Sequence, residues 1–249
     1  MSQPRITTPG LRPEQKPRLG LLGEVAWGTA LGLYECVILG QKAWWWQMHG
    51  GLLRAYWGWN PDQVLADLPD EEYRETLAYG ETPASSVLKM LEVCRQHFPD
   101  AESLLDLGAG RGIMAMTAAA NEWDVMAMEY LREFLERSEP LTLRYGWPVQ
   151  WVKGDFLILP FPPCDIVHVA ATAFPEETRT ALADKFAREC GPDQGIVTQD
   201  WILDEERFET IVGFRLPVTW GSSYFTLHRR RKLDLSLEKD LDSQSQVAP

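Results

Sequence analysis

The sequence predicts a doubly wound α/β fold, with a mostly parallel sheet of seven strands and a helical cap at its N-terminus. Three observations predict it. Short apolar strands alternate with helix-length segments from residue 82 onward, a glycine-rich turn joins the first strand to a helix, and no helix separates the last two strands. Such alternation is typical of a parallel sheet covered on both faces. Two strands joined by a short turn form an antiparallel pair, which places one antiparallel strand at the end of the chain.

The elements follow one another in a regular order. Thr82-Pro83 predicts a helix start, because a threonine hydroxyl can cap the first turn and proline fits the first helical position. A turn at 217–221 joins the last two strands. We predict helices at 82–98, 113–121, 131–137 and 176–190, and strands at 103–107, 123–129, 148–153, 165–170, 195–199, 209–216 and 222–229.

An arm and a cap precede this alternation. Residues 1–19 are polar and rich in proline, which predicts a flexible arm. Residues 20–78 are predicted to form a helical, tryptophan-rich cap, followed by the α/β domain over 79–232 and a flexible acidic tail over 233–249. Six of the chain's 11 tryptophans lie in the cap, namely Trp27, Trp44, Trp45, Trp46, Trp57 and Trp59.

The segment 20–42 combines an apolar run with a narrow charged stripe. Glu24, Glu35 and Lys42 return to nearly the same face of a helix, and the rest of the helix is apolar. The apolar run is shorter than the ~20 residues that a membrane span needs, so we predict no transmembrane helix. Two interpretations remain. We favour a helix packed on the protein's own core; the alternative is a helix on a membrane surface, with the tryptophans at headgroup level.

The net charge limits the kinds of partner that the protein is expected to bind. The chain has 24 Lys and Arg against 36 Asp and Glu, a net charge of −12, so it lacks the basic footprint of a nucleic-acid-binding domain. We therefore predict no nucleic-acid partner. An acidic run at 62–81 is interpreted as a solvated helix face or as a field that attracts a cationic substrate.

The cysteine spacing indicates the redox compartment and bears on metal binding. Cys36, Cys94, Cys164 and Cys190 are widely spaced, with no C-x-x-C pair. This pattern predicts neither a zinc site nor a disulfide framework, and it indicates a reducing compartment. We predict no metal and a cytoplasmic protein, with peripheral membrane contact through the tryptophan-rich segment as the open alternative.

The strongest motif is a glycine turn between the first strand and the next helix. Gly108, Gly110 and Gly112 are spaced G-x-G-x-G, and Asp106 lies two residues before the first glycine. A dinucleotide fingerprint would need its last glycine at the position of Ile113, and a phosphate-binding lysine is absent, so neither phosphate motif is present. Glycines here allow a tight turn and close approach of a ligand to the backbone.

Acidic residues follow the neighbouring strands. Asp106 can accept a hydrogen bond from a ligand ammonium, and Glu129 at the end of the second strand can take two ribose hydroxyls. Asp155 can accept from an adenine amino group, and Phe156 can pack on the adenine ring. The carboxyl ends of parallel strands meet at one edge of a sheet. Ammonium, ribose and adenine in this order, without phosphates, predict S-adenosylmethionine as the cofactor.

On these residues, segment 79–230 resembles the class I S-adenosylmethionine-dependent methyltransferases. The resemblance implies a seven-stranded sheet whose last strand is antiparallel, and methyl transfer to an acceptor. A narrower similarity is to the non-SET, histone-lysine-type lysine methyltransferases. It rests on Tyr79-Gly80-Glu81-Thr82, on Gly154-Asp155-Phe156-Leu157, on Ala173-Phe174-Pro175-Glu176, and on Trp220 with Tyr224.

The narrower resemblance implies roles for particular residues. Glu81 and Thr82 would line the cofactor site, while Tyr79, Trp220 and Tyr224 would form the catalytic channel that admits a lysine side chain. One departure concerns the end of the fourth strand, where that family has asparagines and this chain has Ala170-Ala171. We therefore expect a methyltransferase acting on a protein lysine, with two alternatives: a small or lipid-like hydrophobic acceptor, or a cofactor-binding partner module without activity.

Overall fold

The structure is a computed structural model that describes residues 21–59 and 80–232. The predicted arm, the predicted tail and most of the acidic run lie outside the described residues. Within the described ranges the elements are α1 (Leu21–Leu39), α2 (Ala43–Ala55), α3 (Ala84–His97), β1 (Ser103–Leu107), α4 (Ile113–Ala119), β2 (Asp124–Glu129), α5 (Arg132–Tyr145), β3 (Val149–Lys153), β4 (Ile166–Ala170), α6 (Glu176–Glu189), β5 (Gly195–Gln199), β6 (Phe208–Val218) and β7 (Gly221–Arg230).

The seven strands form one sheet in the order β3-β2-β1-β4-β5-β7-β6. Strands β1 to β5 pair in parallel, and β7 is antiparallel to both β5 and β6. This confirms the predicted fold class, including the antiparallel last strand. Because β1, β2 and β4 run in the same direction, the loops that follow them meet at one edge of the sheet, where the candidate site lies.

Helices cover both faces of the sheet, each through its own apolar core. On one face, Leu104 and Val197 pack with residues of α3 and α4 such as Met90 and Ala115. On the other face, residues including Val167 pack under α6. The inner strands β1, β4 and β5 are almost entirely buried, which explains their largely apolar sequences.

Helix α3 begins differently from the prediction. Thr82 does not cap it: the helix starts at Ala84 after Pro83, without a side-chain cap from its own segment. The Thr82 hydroxyl instead donates to the Gln199 side-chain oxygen at 3.3 Å. The Ser85 N–H in the first turn donates to the carboxylate of Glu35 in α1, at 2.6 Å. A distant carboxylate thus satisfies the helix start, and a negative charge there is favoured by the helix dipole.

Over the described residues 21–59, the predicted cap is helical and contains α1 and α2. Helix α1 ends at Leu39. Helix α2 then buries Trp45, Met48 and Leu52 in a third apolar cluster. That cluster includes residues of α4 and α5, so the cap shares a core with the α/β domain. In α1, the Trp27 indole N–H donates to the Val218 carbonyl at 2.8 Å. Among the described helices, none combines the length and the apolar character needed to cross a bilayer.

Helix α5 is longer than predicted. The expected end at Arg137 precedes Pro140, yet the helix runs to Tyr145 with the proline inside it. Phe134 and Leu141 lie on its buried side and pack against the cap. Burial of this face on both sides of the proline offsets the hydrogen bond that proline cannot donate.

Candidate functional site

The glycine loop between β1 and α4 has a backbone that favours glycine. Gly108, Gly110 and Gly112 have φ values of +74°, +55° and +82°, in the left-handed region that other residues rarely adopt. A Cβ atom on Gly112 would lie 2.5 Å from the Trp151 ring. The N–H of Gly108 donates to the Met128 carbonyl at 2.8 Å, which ties the loop to the end of β2. The loop is therefore tightly held, and its backbone lines a cleft.

Glu129 ends β2 beneath this loop. One carboxylate oxygen accepts the Gly110 N–H at 2.7 Å, and the other accepts the Leu131 N–H at 2.8 Å. Burial raises the pKa of Glu129, although these backbone donors stabilise its charged form and oppose the shift. An ionised carboxylate has about four acceptor sites, so two backbone bonds leave capacity for further hydroxyl donors. This arrangement fits the ribose of S-adenosylmethionine.

Asp106 lies in β1 with one free acceptor. Its Oδ1 is 2.8 Å from Nδ1 of His168, the residue beside it in β4. Its Oδ2 is buried and has no hydrogen-bond partner among the described residues, and the same holds for Nε2 of His168. A buried, unpaired carboxylate oxygen costs free energy unless a ligand or water satisfies it. The unpaired atom fits the predicted contact with the cofactor ammonium, directly or through water, while His168 fixes the carboxylate orientation.

An ion pair joins the glycine loop to the loop before α3. The Arg111 guanidinium donates to a Glu81 carboxylate oxygen in a very short hydrogen bond. Arg111 also lies over the Tyr56 ring at the end of α2, 5.3 Å from its centroid. The Ser138 hydroxyl of α5 donates to the Arg111 carbonyl at 2.9 Å. Arg111 thus joins the glycine loop to the cap, to α5 and to the loop before α3.

Aromatic side chains wall the cleft. A Cβ atom on Gly80 would lie 2.2 Å from the Trp220 ring, so the indole rests directly on this glycine. Phe156 and Phe174 stack with centroids 5.7 Å apart. The full lining is Gly80, Glu81, Leu107, Gly108, Ala109, Gly110, Arg111, Gly112, Ile113, Met114, Glu129, Tyr130, Leu131, Phe134, Phe156, Ala170, Thr172, Ala173, Phe174 and Trp220.

The structure brings many of the predicted site residues to this one cleft. Those in its lining are Glu81, Gly108, Gly110, Gly112, Glu129, Phe156 and Trp220. Thr82, Asp106, Asp155 and Tyr224 are not in the lining, and Tyr79 lies outside the described residues.

Two of these residues have local partners instead. The Asp155 carboxylate accepts the Leu157 N–H at 2.8 Å within its own turn. The Tyr224 hydroxyl occupies the space that a side chain on Gly213 would need, 1.9 Å from the expected Cβ position, and Arg215 lies over its ring. The structure therefore does not bring Tyr224 together with Trp220 at the cleft.

Sequence reasoning missed two contributors, Arg111 and Phe174, as site residues. Arg111 stands inside the glycine motif, and a charged residue in a loop that needs close backbone approach is the signal that could have identified it. Phe174 follows the end of β4, at the same edge of the sheet as Glu129. Across the described residues, no group of three or more His, Cys, Asp or Glu side chains could hold a metal ion.

Comparisons with known proteins agree with this geometry. Residues 104–193 match the family model of a methyltransferase domain, whereas no curated protein matches the sequence. An RNA methyltransferase from Salinibacter ruber in complex with S-adenosyl-L-homocysteine is similar in structure, with TM-score 0.51 and 17% identity over 61% of this chain and 95% of that chain. A proposed RNA methyltransferase from Pyrococcus horikoshii gives TM-score 0.51 and 14% identity, over 68% and 96%.

A third similar structure is a proposed O-methyltransferase from Klebsiella pneumoniae, with TM-score 0.50 and 16% identity over 73% of this chain and 94% of that chain. At these identities the structural likeness establishes the fold, which is the class I methyltransferase architecture. The family match covers β1 to α6 and includes the glycine loop, Glu129 and Phe174.

Proposed function

Because the chain is an S-adenosylmethionine-dependent methyltransferase with the class I fold, we propose that it methylates a small, hydrophobic acceptor. The observation that carries this proposal is the apolar wall at the end of β4, where Ala170, Ala173 and Phe174 line the cleft together with Trp220. Burial of apolar surface against such a wall is favourable, and these side chains offer a polar acceptor few hydrogen-bond partners.

The cofactor residues are proposed as follows. The unpaired Oδ2 of Asp106 accepts from the cofactor ammonium, directly or through water, Glu129 accepts from the ribose hydroxyls, and Phe156 packs on the adenine. The backbone of the glycine loop approaches the cofactor without a Cβ clash. When bound, S-adenosylmethionine would supply an activated methyl group on a positively charged sulfur, for transfer to a lone pair of the acceptor.

The chain's own contribution is alignment and exclusion of water. Trp220 rests on Gly80 and closes one side of the cleft, and the stacked Phe156 and Phe174 close the side near β4. Apolar walls remove water from the reacting nucleophile, and fixed walls restrict the direction from which it can approach. An acceptor amine must arrive unprotonated, and a desolvated site favours the neutral form.

A protein lysine is the second candidate acceptor, and the position of Trp220 in the cleft lining favours it. Two features weigh against it: Tyr224 contacts Gly213 rather than the cleft, and Ala170-Ala171 supplies no polar side chain at the end of β4. An RNA acceptor is disfavoured by charge. Residues 60–249 contain 18 Lys and Arg against 33 Asp and Glu, a net charge of −15 that repels a polyanion.

Methyl transfer into a cell extract tests the proposal. The full-length protein is incubated with S-adenosylmethionine labelled in its methyl group, and the products are separated into organic-soluble, protein and nucleic-acid fractions. We expect the label in the organic-soluble fraction. Label in the protein fraction would overturn this acceptor class in favour of lysine, and label in RNA would overturn the charge argument. A Glu129→Ala variant, expected to lose cofactor binding in calorimetry, provides the inactive control.

A pair of variants locates the acceptor within the cleft. Phe174→Ala removes part of the apolar wall and should raise the KM for the organic-soluble acceptor severalfold. The Kd for S-adenosylmethionine should change much less. Leu143→Ala, at an exposed position of α5, is the matched control and should change neither constant. Equal effects of Phe174→Ala on both constants would contradict an acceptor-side role for this wall.

A further inference from the structure

Helices α1 and α2 present a large apolar surface to solvent. Val37 is 80% exposed and Trp57 is 79% exposed, although both side chains are apolar. We call this surface the N-terminal apolar face. Its exposed side chains are Leu33, Tyr34, Val37, Ile38, Trp46, Leu53 and Trp57. Single exposed apolar residues are ordinary, but seven large ones on two successive helices indicate a surface that binds a partner.

Among the described side chains of residues 21–59, the exposed charged ones are basic. Glu35, the acidic side chain that the structure describes in α1 and α2, is 4% exposed and is used to cap α3. Lys42 and Arg54 are exposed. Residues 1–59 contain six Lys and Arg against three Asp and Glu, a net charge of +3, whereas the remainder of the chain carries −15. The charge of the sequence is therefore strongly asymmetric, and its positive segment contains α1 and α2.

We propose that the N-terminal apolar face docks this protein on an anionic lipid bilayer. Exposed tryptophan and tyrosine beside aliphatic side chains are suited to the interface between headgroups and acyl chains. Basic side chains are attracted to an anionic leaflet. The rest of the chain, at −15, is repelled by the same surface, so electrostatics turns the N-terminal face toward the lipid.

A second copy of the chain fits this face less well. A two-fold dimer through the face would bring the basic side chains of both copies into one interface, and both subunits carry a net charge of −12. A bilayer has no such conflict, because its anionic headgroups pair with Lys42 and Arg54. Since no described helix can span a bilayer, the bound protein lies on the surface.

Flotation with lipid vesicles tests the proposal on the full-length protein. Vesicles of phosphatidylcholine alone are compared with vesicles in which about a third of the lipid is phosphatidylglycerol. We expect flotation with the anionic vesicles, weaker flotation with the neutral ones, and a decrease as salt is added. Absence of flotation with anionic vesicles would overturn the proposal, and so would equal flotation with both compositions at low and high salt.

Substitutions in the face provide the matched comparison. Val37→Asp removes a side chain whose burial is worth about 1.5 kcal/mol, so vesicle partitioning should fall at least about tenfold, and Leu33→Asp should act similarly. Leu143→Asp, at a position 75% exposed on α5, should leave flotation unchanged. Calorimetry with S-adenosylmethionine should give wild-type affinity for all three variants, which separates loss of docking from loss of folding.

A separate measurement tests whether a second copy of the chain, rather than lipid, covers the N-terminal apolar face. Light scattering after size-exclusion chromatography should give a monomer for the wild type and for Val37→Asp in the absence of lipid. A wild-type dimer that Val37→Asp converts to a monomer, with no flotation of either protein, would overturn docking on lipid and assign the face to self-association. These outcomes are independent of the acceptor class, because neither flotation nor mass depends on methyl transfer.

Discussion

His228 is expected to make the protein lose stability in mild acid. The ring lies fully buried in β7, with its two nitrogens each 3.2 Å from a threonine hydroxyl, of Thr198 and Thr210. Burial lowers the pKa of His228 from 6.5 to about 4. The folded state therefore holds the neutral ring, while the unfolded chain takes up a proton below its ordinary pKa of about 6.5.

The sign and size of this loss of stability follow from proton linkage. Between pH 6.5 and about 4 the unfolded state binds more protons than the folded state, so stability falls as the pH falls. One pKa unit corresponds to about 1.36 kcal/mol, so the full effect is about 3 kcal/mol at pH 4 and below. At about pH 5 the loss from this one group is about 2 kcal/mol. Well above pH 6.5 His228 is neutral in both states, so it no longer makes the free energy of unfolding depend on pH.

Urea unfolding followed by tryptophan fluorescence measures the pH-dependent stability that His228 contributes. The free energy of unfolding is determined at about pH 7.5 and about pH 5 for the wild type and for His228→Gln, which can still bond the two hydroxyls. Carboxylates contribute equally to both proteins, so the pH-dependent loss should be about 2 kcal/mol smaller in the variant. His97→Gln, at an exposed position of α3, should behave as the wild type. An identical loss in His228→Gln and the wild type would refute the reasoning.

Three further outcomes are expected. Gly112→Ala should lower the unfolding free energy by about 1–3 kcal/mol and weaken cofactor binding in calorimetry, because of its positive φ and the 2.5 Å approach to Trp151. Glu35→Ala should cost about 1–3 kcal/mol in urea unfolding because it leaves the Ser85 N–H without its acceptor, and Glu35→Gln should recover part of this. Asp106→Asn should weaken S-adenosylmethionine binding at least about tenfold in calorimetry with little change in unfolding midpoint; unchanged affinity would remove this carboxylate from the cofactor site.

The sheet and the glycine loop could be predicted because their signals are local. Each strand is a short apolar run, and the glycines at 108, 110 and 112 mark a turn whose φ values are set within a few residues. Glu129 could be placed for the same reason, since the carboxyl ends of neighbouring parallel strands meet at one edge. Five predicted site residues reach the cleft on this logic, namely Gly108, Gly110, Gly112, Glu129 and Phe156, whereas Glu81 and Trp220 were expected there from the family resemblance.

The capping of α3 and the orientation of Tyr224 depend on contacts that sequence patterns do not record. Glu35 lies fifty positions before Ser85, and the sequence shows its buried carboxylate only as part of a narrow charged stripe on a helix. Tyr224 faces away from the cleft because its neighbour Phe225 is buried in the core beside Phe214. Successive residues of a strand point to opposite faces, so a displacement of one position in the register decides which of them reaches the site.

The hydrogen bond from Trp27 to Val218 also has a consequence for synthesis of the chain. The donor and the acceptor are 191 residues apart, and the acceptor belongs to the β6–β7 hairpin. At a ribosomal rate of about 5–20 residues per second, roughly 10 to 40 s pass between the emergence of the two partners. During this interval α1 is complete, and it can contact α3 through Glu35, while the acceptor for Trp27 does not yet exist. The Trp27 end of α1 is therefore seated late, and it needs protection from aggregation in the nascent chain.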